Sequence, residues 1–315
     1  MKYLALLLLI FLTSCSSPPR LHQSLTVDDP HTSSPPHHES MHSLQPDPES
    51  SSIEPQALMS SHALTASAPI NSKEHSFGGL PVTTRKIRTL KYKNYTVGFS
   101  DYYKLPLYTQ RNFNVFPKNC TETGRGAAKF SVDSNLPVKL QLTHDDFNDP
   151  QCTSTNQTIK TQKCLRRGHL TANADVCALT DRAETFKTTN IAPQIQNTFN
   201  SGIWSTLEGC VQKWASENSD MIVNTGIIFK TPIKKLNAKV GIPKFYYKVI
   251  THPKTNTHIA FLMENKYYQK SERVLSHYLV SIDKIEGLSR LDLFPNLKLQ
   301  ENKERVGDEY KCTGL

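Results

Sequence analysis

Two stretches of this 315-residue chain gather side chains able to move protons, hold a hard cation and grip an anion. The first, Leu165 to Asp175, reads Leu-Arg-Arg-Gly-His-Leu-Thr-Ala-Asn-Ala-Asp and carries Arg166, Arg167 and His169. The second, Thr189 to Gln194, reads Thr-Asn-Ile-Ala-Pro-Gln and runs on to Asn200, Trp204 and Glu208. An imidazole titrates near neutral pH and can take a proton from water, so His169 is the natural base. An asparagine amide oxygen suits Mg²⁺, which prefers oxygen and keeps several of its waters, so Asn200 is a reasonable single protein ligand. Phosphodiester hydrolysis needs these parts: a base for water, a cation to offset charge on the phosphate and leaving oxygen, and a holder for the metal. Arg167 either contacts phosphate or braces the loop.

The elements that must position these residues are legible in outline. Asn200 to about Ala215 has Ile203, Trp204, Leu207, Val211 and Trp214 at helical spacing, which predicts a helix. On such a helix positions 200, 204 and 208 follow in steps of four, and side chains lean toward the N-terminus, so Glu208 tilts back toward Asn200. Their Cα atoms would still lie roughly 12 Å apart, which places Glu208 in the metal's water shell rather than on the metal. Trp204 is expected to pack against the core. Strand signals are Tyr95–Phe99, Met221–Val223, Gly226–Phe229, Phe245–Ile250, His258–Leu262 and Tyr278–Ile282. The mixture predicts an α+β domain on a largely antiparallel sheet.

The N-terminus has a different character. Met1-Lys2-Tyr3 precedes an apolar run from Leu4 to Leu12, the order of a secretory signal. The run is about ten residues, where a bilayer span needs roughly twenty. Leu12-Thr13-Ser14-Cys15 then resembles a bacterial lipobox, so residues 1–14 read as a signal peptide and Cys15 as a lipidation site. The alternative is an ordinary signal peptide with an incidental cysteine. Residues 15–76 are rich in Ser, Pro and His and read as a disordered tether, with seven of the chain's 12 histidines, His75 among them, in a solvated linker. A lipid anchor followed by Ser16 points to the cell envelope, with the outer membrane favoured.

That tether carries Arg20 and Lys73 against seven carboxylates, so the remaining domain, residues 77–315, is more basic than the chain's +9 indicates. Such a domain attracts polyanions, either nucleic acid or an anionic membrane. Apart from Cys15 there are six cysteines, at 120, 152, 164, 177, 210 and 312, an even number that suggests disulfides in an exported protein. Six allow fifteen pairings, and the connectivity stays open; a bridge from Cys312 would tie down the C-terminal tail. No two stand at Cys-x-x-Cys spacing, which weakens a zinc site.

The two chemical segments resemble the signatures of the DNA/RNA non-specific endonuclease family, the ββα-metal nucleases: Asp-Arg-Gly-His-Leu, then Asn-x-x-Pro-Gln, then Asn-x-x-x-Trp-x-x-Leu-Glu. Arg167, Gly168, His169, Leu170, Asn190, Pro193, Gln194, Asn200, Trp204, Leu207 and Glu208 match. Lys91–Phe99 looks like the family's opening strand, and counterparts continue to Leu293-Phe294-Pro295. The resemblance implies a ββα-metal fold, a central antiparallel sheet with flanking helices, whose finger presents His169 from a strand-loop and Asn200 from the following helix. It implies hydrolysis of both DNA and RNA with Mg²⁺ or Mn²⁺, leaving 5′-phosphates. It also implies that Asn190 lies near the metal, and that an arginine upstream of the histidine stabilises the transition state, here Arg125 in Gly-Arg-Gly-Ala-Ala-Lys-Phe. Homodimers occur in the family.

Two departures stand out. Arg166 replaces the family's aspartate, and its charge beside His169 is expected to lower the imidazole pKa. Residues 148–163 look like an insertion that a disulfide between Cys152 and Cys164 could pin near the site. The rival reading is a non-catalytic nucleic-acid-binding lipoprotein with a nuclease-like fold.

Overall fold

A computed structural model describes residues 75–76, 78–113, 124–150, 152, 163–217, 220–255, 257–297 and 312. The signal segment, Cys15, nearly all of the tether and Cys120 lie outside the described residues.

A six-stranded, wholly antiparallel sheet forms the centre of the domain, in the spatial order β1-β2-β3-β6-β9-β10. The strands are β1 (Ile87–Lys91), β2 (Thr96–Ser100), β3 (Leu105–Asn112), β6 (Ile222–Ile228), β9 (Phe245–His252) and β10 (Thr257–Glu264). Between β3 and β6 the chain leaves the sheet and makes the two-stranded antiparallel ribbon of β4 (Leu165–His169) and β5 (Ile191–Ile195). It then winds through wide π-type turns, Gln196–Trp204, into helix α1 (Ser205–Glu217). A short hairpin, β7 (Lys235–Leu236) with β8 (Val240–Gly241), follows β6, and helix α2 (Ile282–Ser289) follows β10.

The sheet is covered on both faces, as period-two alternation in β9 shows. Tyr246 and Ile250 join a cluster with Trp204, Leu207, Val211 and Trp214 under α1, whereas Tyr247 and Val249 join Ile282 and Ile285 under α2. Both tryptophans are fully buried, and each large aromatic buries on the order of 150–250 Å², so this face carries much of the apolar driving force. Two disulfides staple the outer segments, Cys152–Cys164 and Cys210–Cys312, and Cys177 is also disulfide-bonded. The bridge from Cys312 joins that residue to Cys210 of α1.

Several expectations need revision. Tyr278–Ile282 is not a strand: it makes one bridge, Phe261 with Leu279, before Ser281 Oγ accepts the Lys284 N–H and caps α2. Met221–Val223 and Gly226–Phe229 are parts of one strand, β6. The helix expected from Asn200 becomes regular only at Ser205, because Gly202 takes non-helical dihedrals (φ −118°, ψ −117°) that a glycine tolerates at little cost. Steps of four from 200 to 208 therefore do not run along one α-helix. Strand β3 carried no strand signal because its C-terminal half is polar, yet Thr109, Gln110, Arg111 and Asn112 are all buried. Partners make this tolerable: Gln110 Nε2 donates to the Gly79 carbonyl, Asn224 Nδ2 donates to Gln110 Oε1, and Arg111 donates to the Asn94 carbonyl. His75, assigned to a solvated tether, is instead buried, its Nδ1 accepting the Asn112 N–H at 2.9 Å.

Candidate active site

The β4–β5 ribbon is built around one close approach. In its register Gly168 faces Ala192 and Arg166 faces Gln194, and the Gln194 side chain lies over Gly168. A Cβ at 168 would stand 2.1 Å from Gln194 Oε1, so only glycine fits between the two matched segments. The ribbon is fastened to the sheet through Pro193, whose carbonyl accepts from Tyr246 Oη and Asn265 Nδ2, both at 2.9 Å. Asn265 Oδ1 also accepts the Ile195 N–H. Strand β4 thereby delivers His169 to a cleft of about 630 Å³.

Arg125, Arg166, Arg167, His169, Asn200 and Glu208 all line this cleft. Phe130 and Phe186 form an aromatic wall behind the imidazole, with ring centroids 5.6 and 4.8 Å from it. His169 Nε2 is buried with no hydrogen-bond partner among the described residues. Burial, and secondarily Arg125, lower the imidazole pKa to about 4, so it is neutral at physiological pH. The depression agrees with expectation, but its cause does not: the charge acting on His169 is Arg125, not the Arg166 next to it in sequence.

Arg125 sits between two glycines with left-handed backbone, Gly124 (φ 75°) and Gly126 (φ 57°), a turn that L side chains rarely adopt. The Gly124 carbonyl accepts from Arg182 and Asn173, and Arg125 Nε donates to the Ala128 carbonyl at 3.0 Å. Its guanidinium lies 4.5 Å over the Phe186 ring. Arg167 lies 4.6 Å over Phe130 and donates to the His144 carbonyl and to Asn148 Oδ1. It therefore braces the insertion while presenting charge to the cleft.

Asn190 does not line the cleft. It is fully buried, and its amide is spent on backbone: Oδ1 accepts the Thr171 N–H, and Nδ2 donates to the Thr171 and Thr185 carbonyls. These bonds tie the chain leaving His169 to the segment at Thr185.

Comparison with known proteins adds the family. The DNA/RNA non-specific endonuclease family matches residues 78–300. The chain belongs to that family. It is 24% identical to Nuclease C1 of Cunninghamella echinulata var. echinulata over 238 residues, covering 70% of this chain and 86% of the relative. It is 23% identical to the mitochondrial Nuclease 1 of Schizosaccharomyces pombe over 230 residues, covering 66% of each. The crystal structure of the EndoG/EndoGI complex contains a chain similar in fold, with a TM-score of 0.59 at 18% identity, covering 73% of this chain and 94% of that one. The domain is thus a nucleic-acid hydrolase on an α+β, ββα-metal nuclease fold.

Family members depend on a divalent metal, and the cleft's donors fit one. Asn200 Nδ2 donates to Gln196 Oε1 at 3.3 Å, which leaves Oδ1 as the amide's acceptor, and Glu208 supplies a carboxylate in the same cleft. Both are hard oxygen donors of the kind Mg²⁺ takes. Among the described residues no three His, Cys, Asp or Glu side chains cluster as a closed cage.

Sequence reasoning missed what underlies the nuclease site. Lys248 of β9 is buried, its Nζ 2.8 Å from Thr225 Oγ1 and 5.0 Å over the Trp204 ring. It interacts with the buried Asp175 and with Glu208, which is half-buried and lines the cleft. Burial raises the Glu208 carboxyl pKa, opposed by Lys248, reinforced by Asp175 and opposed by the Trp204 indole. That indole N–H faces Glu208 without reaching hydrogen-bond geometry. Burial likewise raises Asp175 and lowers Lys248. The available signal was parity: Lys248 shares its strand face with Tyr246 and Ile250, so a lysine there must enter the core.

Proposed function

We propose that this domain hydrolyses phosphodiester bonds of both DNA and RNA at internal positions without reading bases. The observation that carries this reading is the His169 imidazole, whose buried Nε2 has no hydrogen-bond partner among the described residues, in a cleft it shares with Arg125, Asn200 and Glu208. In this reading the neutral His169 imidazole takes a proton from the attacking water as the new P–O bond forms. Its depressed pKa keeps the acceptor free at neutral pH. Arg125 stabilises the extra negative charge that develops on the phosphate. Mg²⁺ or Mn²⁺ held by Asn200, with Glu208 on its water shell, would supply charge neutralisation at the phosphate and the leaving oxygen. Backbone contact without base readout favours sugar-independent cleavage that weakens with salt. The products would carry 5′-phosphates, by resemblance to the family.

We further infer from the Leu-Thr-Ser-Cys segment that Cys15 is lipidated and anchors the exported chain to the cell envelope, on the outer membrane by the Ser16 preference. Metabolic labelling with a fatty acid, compared with Cys15→Ser, tests the anchor. For the reaction, the oxidised full-length protein in non-ionic detergent is given plasmid DNA and RNA with Mg²⁺, Mn²⁺ or EDTA. Both substrates should be degraded only with metal, and His169→Ala should lower the rate roughly 10²–10⁴-fold. Binding of both without cleavage of either, under any metal near neutral pH, overturns the reading.

A further inference from the structure

Arg166 has no role in the reaction as derived, yet it lines the same cleft as Arg125 and Arg167. The three guanidinium groups differ in how they are held. Arg125 donates Nε to the Ala128 carbonyl and stacks on Phe186, and Arg167 donates to the His144 carbonyl and Asn148 while stacking on Phe130. Among the described residues Arg166 makes only a 3.5 Å approach from Nη2 to the Cys152 carbonyl, at the outer limit of a hydrogen bond. Among the described residues no carboxylate pairs with it, whereas Arg88, for comparison, is paired with Asp101. A cleft-lining guanidinium that no carboxylate pairs can take an anion, and its planar fork matches phosphate oxygens.

Geometry indicates which anion. Successive side chains on a strand point to opposite faces, so Arg167 and His169 share one face of the ribbon and Arg166 takes the other. The cleft takes in both faces, and Gln196 and Asn200 line it as well. A phosphate attacked by the water that His169 activates lies on the His169 face. Arg166 is therefore placed for a different phosphate of the same strand. The Cys152–Cys164 disulfide secures the carbonyl against which the arm rests. Burial lowers the Arg167 pKa first, Arg166 lowers it further, Asp145 opposes and Arg125 adds to the lowering, as expected for guanidinium groups that line one cleft.

We propose that Arg166 forms a second phosphate-binding subsite, holding the phosphodiester next to the scissile one and selecting polynucleotides over isolated phosphodiesters. The assignment rests on the nuclease reading for the identity of the scissile phosphate, but its binding component can be measured without turnover. Full-length protein in EDTA is titrated with a fluorescein-labelled single-stranded 12-mer over a range of salt concentrations, as wild type, Arg166→Gln and Arg166→Lys.

Removing the charge should weaken binding about tenfold at low salt, the size of one charge-assisted hydrogen bond. It should also reduce the slope of log affinity against log salt by about one, whereas Arg166→Lys retains the slope, showing that charge rather than misfolding is responsible. In hydrolysis with Mn²⁺, kcat/KM of Arg166→Gln should fall about tenfold more for the 12-mer than for bis(p-nitrophenyl) phosphate, which has no neighbouring phosphate. An unchanged salt slope, or equal losses on the two substrates, overturns the subsite. If wild type binds with an Arg166-dependent slope but hydrolyses neither substrate, the nuclease reading falls while the phosphate contact stands.

Discussion

Gln194 Oε1 lies where a methyl group on Gly168 would have to be, only 2.1 Å from the ideal Cβ position. Two signature segments about 26 residues apart in the chain are thus one object, the glycine leaving room for the glutamine across the ribbon. Among the described residues neither polar atom of the buried Gln194 side chain has a hydrogen-bond partner, so the glutamine is held there by packing.

Gly168→Ala should therefore cost about 1–3 kcal/mol through overpacking and displace His169, its chain neighbour. Urea unfolding of the single variants and of Gly168→Ala/Gln194→Ala is the check. The double variant should be more stable than the summed losses require, because the clash has gone. Strict additivity would mean the two residues do not meet as described.

The imidazole of His169 is lowered first by burial and second by Arg125. Arg125→Gln should raise its pKa toward the ordinary histidine value while leaving most of the burial effect in place. NMR titration of ¹⁵N-labelled histidine, without added metal, would show a resonance titrating well below 6.5 in wild type and higher in the variant. A wild-type His169 titrating at the ordinary value would contradict the buried, neutral base.

His75 is also lowered to about 4, by burial first, opposed by its bond to the Lys93 carbonyl and helped by Arg111. An unfolded chain binds protons at these two histidines from about pH 6.5 downward, whereas the folded chain resists until about 4. Their contribution to stability is present above about 6.5 and is lost as pH falls toward 4. The Tm of wild type should fall across that window, and His75→Gln should flatten the dependence. An equally steep fall in the variant would remove His75 from the account.

Lys248 is a buried cation facing Asp175 and Glu208 beneath the cleft. Lys248→Met should destabilise the domain by about 3 kcal/mol, because it leaves the buried Asp175 with Arg111 as its remaining counter-charge. Adding Asp175→Asn should recover part of that loss. Denaturant midpoints for the four members of the cycle decide it, and no recovery would show that the pair is not coupled.

The fold was legible where apolar or β-branched residues alternate, as in β2, β9 and β10. It was illegible where polar residues are buried in pairs, as in β3, whose Gln110 is satisfied by Gly79 and Asn224. Tyr278–Ile282 had strand-like composition, but the Ser281 cap starts a helix there instead. Propensity is a local quantity, and a distant partner or a cap reverses it at modest energetic cost.

For the site, residue type and order named His169, Asn200, Glu208 and Arg167, because the chemistry of each group is intrinsic to its side chain, whereas Arg125 came from the family resemblance. The Gly-Arg-Gly turn and the glycine before His169 could likewise be recognised, though their necessity shows only in the left-handed dihedrals and in the Gln194 contact. Tertiary structure decided the rest. It spent the Asn190 amide on three backbone bonds, made Arg125 rather than Arg166 the charge that acts on His169, and set Lys248 and Asp175 beneath Glu208. Burial and charge–charge interaction depend on distance through space, and the chain order does not contain that distance until the ribbon folds back onto the sheet.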